Sequence, residues 1–294
     1  MKYAFYTGCA AKGACPELYQ SAVKVAKILG IELDEMTAAA CCGAGVVREG
    51  DADLSLAINA RTFAQAEEKG LPVLTVCGTC QGVLANANKT LKEDPAVRDR
   101  VNGMLASDGI AYRGTVEVKH FLWALIQDVG LSKLRQAVKR SLAGLRVAPF
   151  YGCYILRPSQ DLGFDDPNNP TSLEELIIAL GGERVDYSGR IKCCGFPLVL
   201  ENEPMALAMS GNATAEAKRE GADCMVTPCP LCHMSLDIYQ ERAGRQRGER
   251  LDMPVFHLPQ LVGLALGLSE QDLGLPRHMV PVAKATAEIG SPTP

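Results

Sequence analysis

Short apolar runs alternate with longer amphipathic stretches along this chain. Tyr3-Ala4-Phe5-Tyr6-Thr7-Gly8-Cys9 and Val147-Ala148-Pro149-Phe150-Tyr151-Gly152-Cys153 each read as a buried strand ending in Gly-Cys, from their β-branched and aromatic content. Helical spacing follows in both places, over Glu17–Leu29 before Gly30 and over Ser172–Leu180 before Gly181, with glycine as the stop. Second strands are expected at Ile31–Met36 and Arg184–Tyr187, longer helices at Ala52–Lys69 and Met205–Glu220, and third strands at Val73–Val76 and Met225–Thr227. Each half closes with a further helical stretch, a strand and a histidine-led helix: Val116–Val118 with His120-Phe121-Leu122, and Val255-Phe256 with His257-Leu258. This alternation predicts an α/β fold of two pseudo-twofold-related repeats, each a small parallel sheet with flanking helices. The expected division is 1–140 and 141–275, with the boundary in the basic, helix-like stretch Leu131–Leu145. Residues 276–294, rich in Ala, Pro and small side chains, are expected to form a loosely ordered tail.

The cysteines reinforce the duplication. Cys9 precedes the adjacent pair Cys41-Cys42, and after 34 intervening residues comes Cys77-Gly78-Thr79-Cys80. Cys153 precedes Cys193-Cys194, and again after 34 intervening residues comes Cys229-Pro230-Leu231-Cys232. Ten of the 12 cysteines fall into this double pattern, at predicted strand C-terminal ends. Loops and helix N-termini converge there in parallel α/β sheets, so one ligand site per half is geometrically natural.

Composition narrows the chemistry. Of the 294 residues 47% are hydrophobic and 22% charged, which places the chain in the globular class. A net charge of −4 argues against a protein whose main work is to coat nucleic acid. The apolar stretch Leu258–Leu268 is broken by Pro259 and Gln260 and is too short to span a bilayer. Met1–Tyr6 is too short and polar for a signal peptide, so a reducing cytoplasm is expected, with membrane association only through a partner. Clustered cysteines there are metal ligands or redox groups. A structural zinc takes four ligands; five per half, two of them sequence neighbours, favour an iron-sulfur assembly over zinc or disulfides. Gly43 and Gly195 are expected to let the backbone approach that assembly.

This pattern of Cys, Cys-Cys-Gly and CxxC, written twice from Lys2 to about Gly267, resembles the B subunit of heterodisulfide reductase. The resemblance implies two noncubane [4Fe-4S] clusters. Cys9, Cys41, Cys42, Cys77 and Cys80 would hold one, and Cys153, Cys193, Cys194, Cys229 and Cys232 the other. It implies an oxidoreductase acting on sulfur groups, reducing a disulfide or oxidising thiols between the clusters within a larger complex. The alternative is a purely electron-transferring component of another system, of the 2-hydroxy acid or glycerol-3-phosphate oxidising type. A third, non-redox reading is a zinc-stabilised scaffold. No C-x2-C-x2-C-x3-C-P run and no G-x-G-x-x-G fingerprint occurs. An iron-sulfur partner with cubane [4Fe-4S] clusters, like the C subunit of heterodisulfide reductase, is therefore expected, together with a flavoprotein.

His233 follows Cys232 directly and is singled out as a proton donor. His120 and His257 hold matching places, which suits a shared structural role, and Cys15 and Cys224 stand outside the double pattern. Arg242, Arg245, Arg247 and Arg250, interspersed with Gly244 and Gly248, read as an exposed basic loop able to dock an acidic partner.

Overall fold

Parallel pairing around one central strand organises each half. The computed structural model describes residues 1–287 and 289. In the first half β1 (Lys2–Tyr6) lies between β2 (Glu32–Glu35) and β3 (Val73–Thr75), and β4 (Val118–His120) follows outside β3, giving the order β2-β1-β3-β4. The second half repeats it as β6-β5-β7-β8, with β5 (Arg146–Pro149), β6 (Glu183–Arg184), β7 (Cys224–Thr227) and β8 (Val255–His257). Every pairing is parallel. Parallel neighbours need crossovers, and helices supply them: Pro16–Ile28 and Ala52–Glu68 in the first half, Ser172–Ala179 and Glu203–Arg219 in the second.

Two strands depart from the pattern-based expectation, each for a backbone reason. The last strand of the first half begins at Val118 rather than Val116. The Val116 carbonyl accepts from Asn88 Nδ2 and its N–H donates to Tyr112 Oη, so side chains satisfy it before the ladder starts at Val73↔Val118. β6 ends at Arg184 instead of Tyr187. Val185 N still donates to the Val147 carbonyl, but Pro149 has no N–H with which to continue the ladder.

Alternation along the strands feeds two cores. Phe5 and Leu74 point to one, together with Val147, Val226 and Phe256 of the second half. Ala4, Tyr6 and Val73 point to the other, together with Ala148, Phe150, Met225 and Val255. Both cores therefore run through both halves, and the repeats are cored jointly.

The segment 276–287 with residue 289 is packed on the body rather than loosely ordered. Val282, Ala285 and Ile289 are buried, Arg277 Nε donates to Glu17, and the Asp237 carboxylate accepts from the backbone N–H groups of Met279 and Val280. The remainder of the expected tail, residue 288 and residues 290–294, lies outside the described residues.

Most of the arginine run is not a loop, Arg250 alone following the helix. Residues Gln240–Arg247 form an α-helix, and each arginine meets a carboxylate: Arg242 with Glu203, Arg245 with Glu241, Arg247 with Glu249 and Arg250 with Asp252. Exposed pairs of this kind contribute little to stability, but they neutralise the charge that would steer an acidic partner.

Candidate metal centre between the two halves

The three cysteine stations of each half converge because parallel strands deliver them to the same sheet edge. β1 hands the chain through Thr7-Gly8 to Cys9, and β3 through Val76 to Cys77. The helix Gly78–Glu93 then starts on Cys77, whose Sγ accepts from Cys80 N at 3.4 Å as a thiol N-cap. The equivalent helix Pro230–Asp237 starts on Cys229 with proline in its first turn.

Sulfur contacts join the stations. Cys41 lies 3.6 Å from Cys9 and Cys42 lies 3.6 Å from Cys80. In the second half Gly195 N donates to Cys193 Sγ at 3.4 Å, and Cys153, Cys193, Cys194, Cys229 and Cys232 line one cavity together. No disulfide joins any of the 12 cysteines. The two sets also meet each other. Cys77 Sγ is 4.0 Å from Cys229 Sγ, and Thr79 Oγ1 is 3.3 Å from the same sulfur. Gly78 N donates to the Pro228 carbonyl at 3.1 Å, and His120 Nε2 bonds that same oxygen at 3.0 Å.

Two cavities flank this contact, of about 480 Å³ beside the first set and about 320 Å³ beside the second. Ala44, Thr79, Phe196 and Leu231 line both, so they adjoin across a shared wall.

The electrostatics show why thiols alone do not complete the site. Hydrogen bonding from Cys41 and then Cys80 lowers Cys42 to about 4, while the same bond to Cys42 pushes Cys80 up. In the second half hydrogen bonding from Cys153 and then Cys194 lowers Cys193 to about 2, and Cys194 rises to about 12 because it serves Cys193. One thiolate is thus stabilised at the cost of holding its neighbours protonated. Full ionisation of either set requires positive charge from outside the side chains. Among the described residues no lysine or arginine lines either cavity. Metal ions are the ligand that such a donor set fits.

The glycines before the first cysteine of each set belong to the cradle. Gly8 and Gly152 have φ of +65° and +73°, and a Cβ there would come within 3.0 Å of Cys80 Sγ and 2.6 Å of Cys232 Sγ. Gly43 and Gly195 differ from the expectation that they clear room for a cluster. Their φ values are also positive, but an added Cβ would meet Val47 at 3.0 Å and the Ala206 backbone at 2.8 Å, so they seat the loop on its own following helix.

The remaining singled-out residues lie around the centre. His233 is buried and lines neither cavity; its Nε2 bonds the Val255 carbonyl at 2.9 Å and its ring stacks on His257 at 3.7 Å. His120 and His257 each reach into the opposite half, His120 to Pro228 and His257 Nε2 to Glu17 Oε1 at 3.4 Å. Burial lowers His120 to about 4 and raises Cys15 to about 12; Cys15 sits behind the site near Glu17, and Cys224 is buried within β7. Sequence reasoning missed Thr79, Phe196, Leu231, Glu49 and Glu201 as site residues. Thr79 and Leu231 stand inside the two CxxC motifs, which was the available signal; Glu49 and Glu201 arrive only through folding.

Two stretches, residues 3–85 and 147–237, match the cysteine-rich CCG domain family. The chain is 33% identical over 291 residues to the B subunit of the ferredoxin:CoB-CoM heterodisulfide reductase of Methanosarcina mazei, spanning 98% of this chain and 97% of the relative. The chain belongs to the family of heterodisulfide reductase B subunits, as a duplicated CCG protein. Components of other reductases are related as well. Identity reaches 43% over 283 residues with the 8-methylmenaquinol:fumarate reductase membrane anchor subunit of Wolinella succinogenes, covering 96% of this chain and 98% of that one. A hypothetical protein from Helicobacter pylori shares the fold, with a TM-score of 0.78 at 16% identity over 96% of this chain and 52% of the other. Membership of the family makes this chain an iron-sulfur component of an oxidoreductase complex.

Proposed function

We propose that the chain reduces a disulfide, or oxidises the corresponding thiols, between two noncubane [4Fe-4S] clusters. Cys9, Cys41, Cys42, Cys77 and Cys80 hold one and Cys153, Cys193, Cys194, Cys229 and Cys232 the other. The observation that carries this reading is the 4.0 Å approach of Cys77 to Cys229, which puts two complete five-cysteine sets around adjoining cavities. A disulfide taking up two electrons and two protons gives two thiols, and two one-electron centres supply those electrons singly. The chain's own residues fix the ligands: Gly8 and Gly152 leave room for the sulfurs, and His120 and Gly78 tie the first half to the Pro228-Cys229 turn. Electrons enter from a partner with cubane clusters, and a flavoprotein belongs to the same complex, since the chain carries no cubane motif. Among the described residues no helix is long and apolar enough to cross a membrane, so membrane association runs through those partners.

A second reading has its own support. The relative at 43% identity is named for an 8-methylmenaquinol:fumarate reductase, which favours an electron-transferring component that exchanges electrons with a quinol. One experiment separates the readings. The protein is purified anaerobically, its iron and acid-labile sulfide are counted, and EPR spectra are recorded with disulfides, thiols and quinols. A disulfide- or thiol-dependent signal supports the first reading; a signal that answers only to quinol supports the second. Zinc without iron or sulfide sinks both.

A further inference from the structure

Behind the second cysteine set, three of the chain's 4 histidines, His233, His257 and His278, gather in one place. His233 and Asp237 stand one turn apart on a shared face of the Pro230–Asp237 helix, and both are buried. His278 joins them from the segment packed on the body. One nitrogen of each of these two imidazoles and a carboxylate oxygen of Asp237 lie within 4.8 Å of one another.

Each donor is held by its far side. His233 Nε2 faces the Val255 carbonyl at 2.9 Å, so that nitrogen carries the proton and Nδ1 keeps its lone pair. Gln260 Oε1 accepts from His257 N at 2.9 Å while Gln260 Nε2 donates to the Leu273 carbonyl, which fixes the orientation of the amide. His278 Nε2, 3.1 Å from that oxygen, is therefore the donor, and the enclosed His278 Nδ1 is left without a partner. The Asp237 oxygens accept from the N–H groups of Met279 and Val280. Among the described residues no lysine or arginine pairs with this carboxylate.

Two imidazoles and a carboxylate, each oriented by hydrogen bonds beyond the donor atom, form a ligand set for a divalent transition metal. A dication also supplies the charge that the buried carboxylate lacks. The neighbouring group of Cys15, Glu17 and His257 is as close-set but is satisfied without an ion, since Arg277 Nε holds Glu17 Oε2 at 3.1 Å and His257 Nε2 faces Oε1. Tetrahedral zinc bonds of about 2.0–2.1 Å place donors about 3.3 Å apart, so a closing movement of at most about 1.5 Å at the half-buried His278 completes the set. The orienting residues Val255, Gln260, Met279 and Val280 line neither cavity beside the cysteines, so loading those cavities leaves these donors in place.

We propose that His233, Asp237 and His278 bind one divalent transition-metal ion of the zinc class, which clasps residues 277–280 to the helix that starts on Cys229. The site is separate from both cysteine sets and holds for either reading of the function.

The test uses the full chain, purified anaerobically with its clusters loaded and dialysed against micromolar zinc(II). Zinc, iron and sulfide are counted, and the zinc X-ray absorption spectrum is recorded. One zinc per chain is expected in addition to the iron, with nitrogen and oxygen neighbours at about 2.0–2.1 Å, imidazole scattering and no sulfur. His278→Gln and Asp237→Asn should each weaken zinc binding by about a hundredfold or more at unchanged iron content, and Cys15→Ser should leave it as it is. Failure to retain zinc at micromolar concentration overturns the proposal, as does a sulfur neighbour at about 2.3 Å, which would put the ion on cysteines. Undiminished binding in both His278→Gln and Asp237→Asn overturns it too, and loss of binding in Cys15→Ser moves the ion to the neighbouring group. Should a variant lose its iron as well, the absorption spectrum of the native protein decides alone, because it separates an imidazole and carboxylate shell from a thiolate one.

Discussion

In the first half Cys9 and Cys41 are exposed at the lip of a cavity of about 480 Å³, whereas Cys153 and Cys193 are only partly exposed beside one of about 320 Å³. The cysteine stations are the same, and the walls differ. Thr79 within the first CxxC reaches across the centre to Cys229, while its counterpart Leu231 closes space between the cavities. The loop after Cys42 turns through small residues, Gly43-Ala44-Gly45; the loop after Cys194 brings Phe196 over both cavities. Tyr154, next to Cys153, packs so tightly on Gly82 that a Cβ there would approach the Tyr154 carbonyl oxygen to 2.5 Å. The two halves keep the same cysteine stations while the packing around them diverges. The two cysteine sets therefore differ in access while remaining alike in donor type.

The sharpest way to break this comparison is to remove one set. Cys41→Ser or Cys193→Ser should each cost about four of about eight iron atoms, leaving the other cluster's signal. Iron and sulfide counting with EPR checks it. Loss of all iron from either change would show that the sets are not separable. A smaller effect should distinguish the halves in the native protein. On exposure to air or a chelator, the cluster on Cys9 and Cys41 should decay several-fold faster than the one on Cys153 and Cys193, because its cysteines are open to solvent. Equal decay in a time course on the two cysteine variants would mean that exposure does not control access.

The glycine cradle offers a finer test. Gly8→Ala and Gly152→Ala each place a Cβ at positive φ, a cost of about 1–3 kcal/mol, and Gly152→Ala should be the more damaging because its Cβ sits closer to the facing sulfur. Denaturant unfolding and iron occupancy measure both consequences. The smallest expected effect concerns His120, which burial holds neutral with a pKa of about 4, against about 6.5 when unfolded. The unfolded chain therefore binds the extra proton as pH falls. Stability is fully present above about 6.5 and is lost progressively towards 4, by about 1.4 kcal/mol at about pH 5.5. His120→Asn, which can still cap Leu122 N, should show a pH slope shallower by that amount; an identical slope would place the titration elsewhere.

Particular residues show how far the amino-acid order reaches. The double run of Cys, Cys-Cys-Gly and CxxC, with glycine stops at Gly30 and Gly181, was enough to anticipate two parallel α/β repeats with cysteines gathered at their strand ends, because strand ends and helix starts are local features. The sequence also carried the duplication itself. It could not reveal that the arginines from Arg242 to Arg247 would lie on the Gln240–Arg247 helix with carboxylates beside them, since Glu203 is 39 positions from Arg242. Nor could it show that residues 276–287 would be held by Glu17 and Asp237. The approach of Cys77 to Cys229, 152 positions apart, and the walls of the cavities between them were likewise decided only by how the halves dock. Donor type follows from local chain chemistry, whereas the distance between centres and the charge around them depend on long-range packing of two jointly cored repeats.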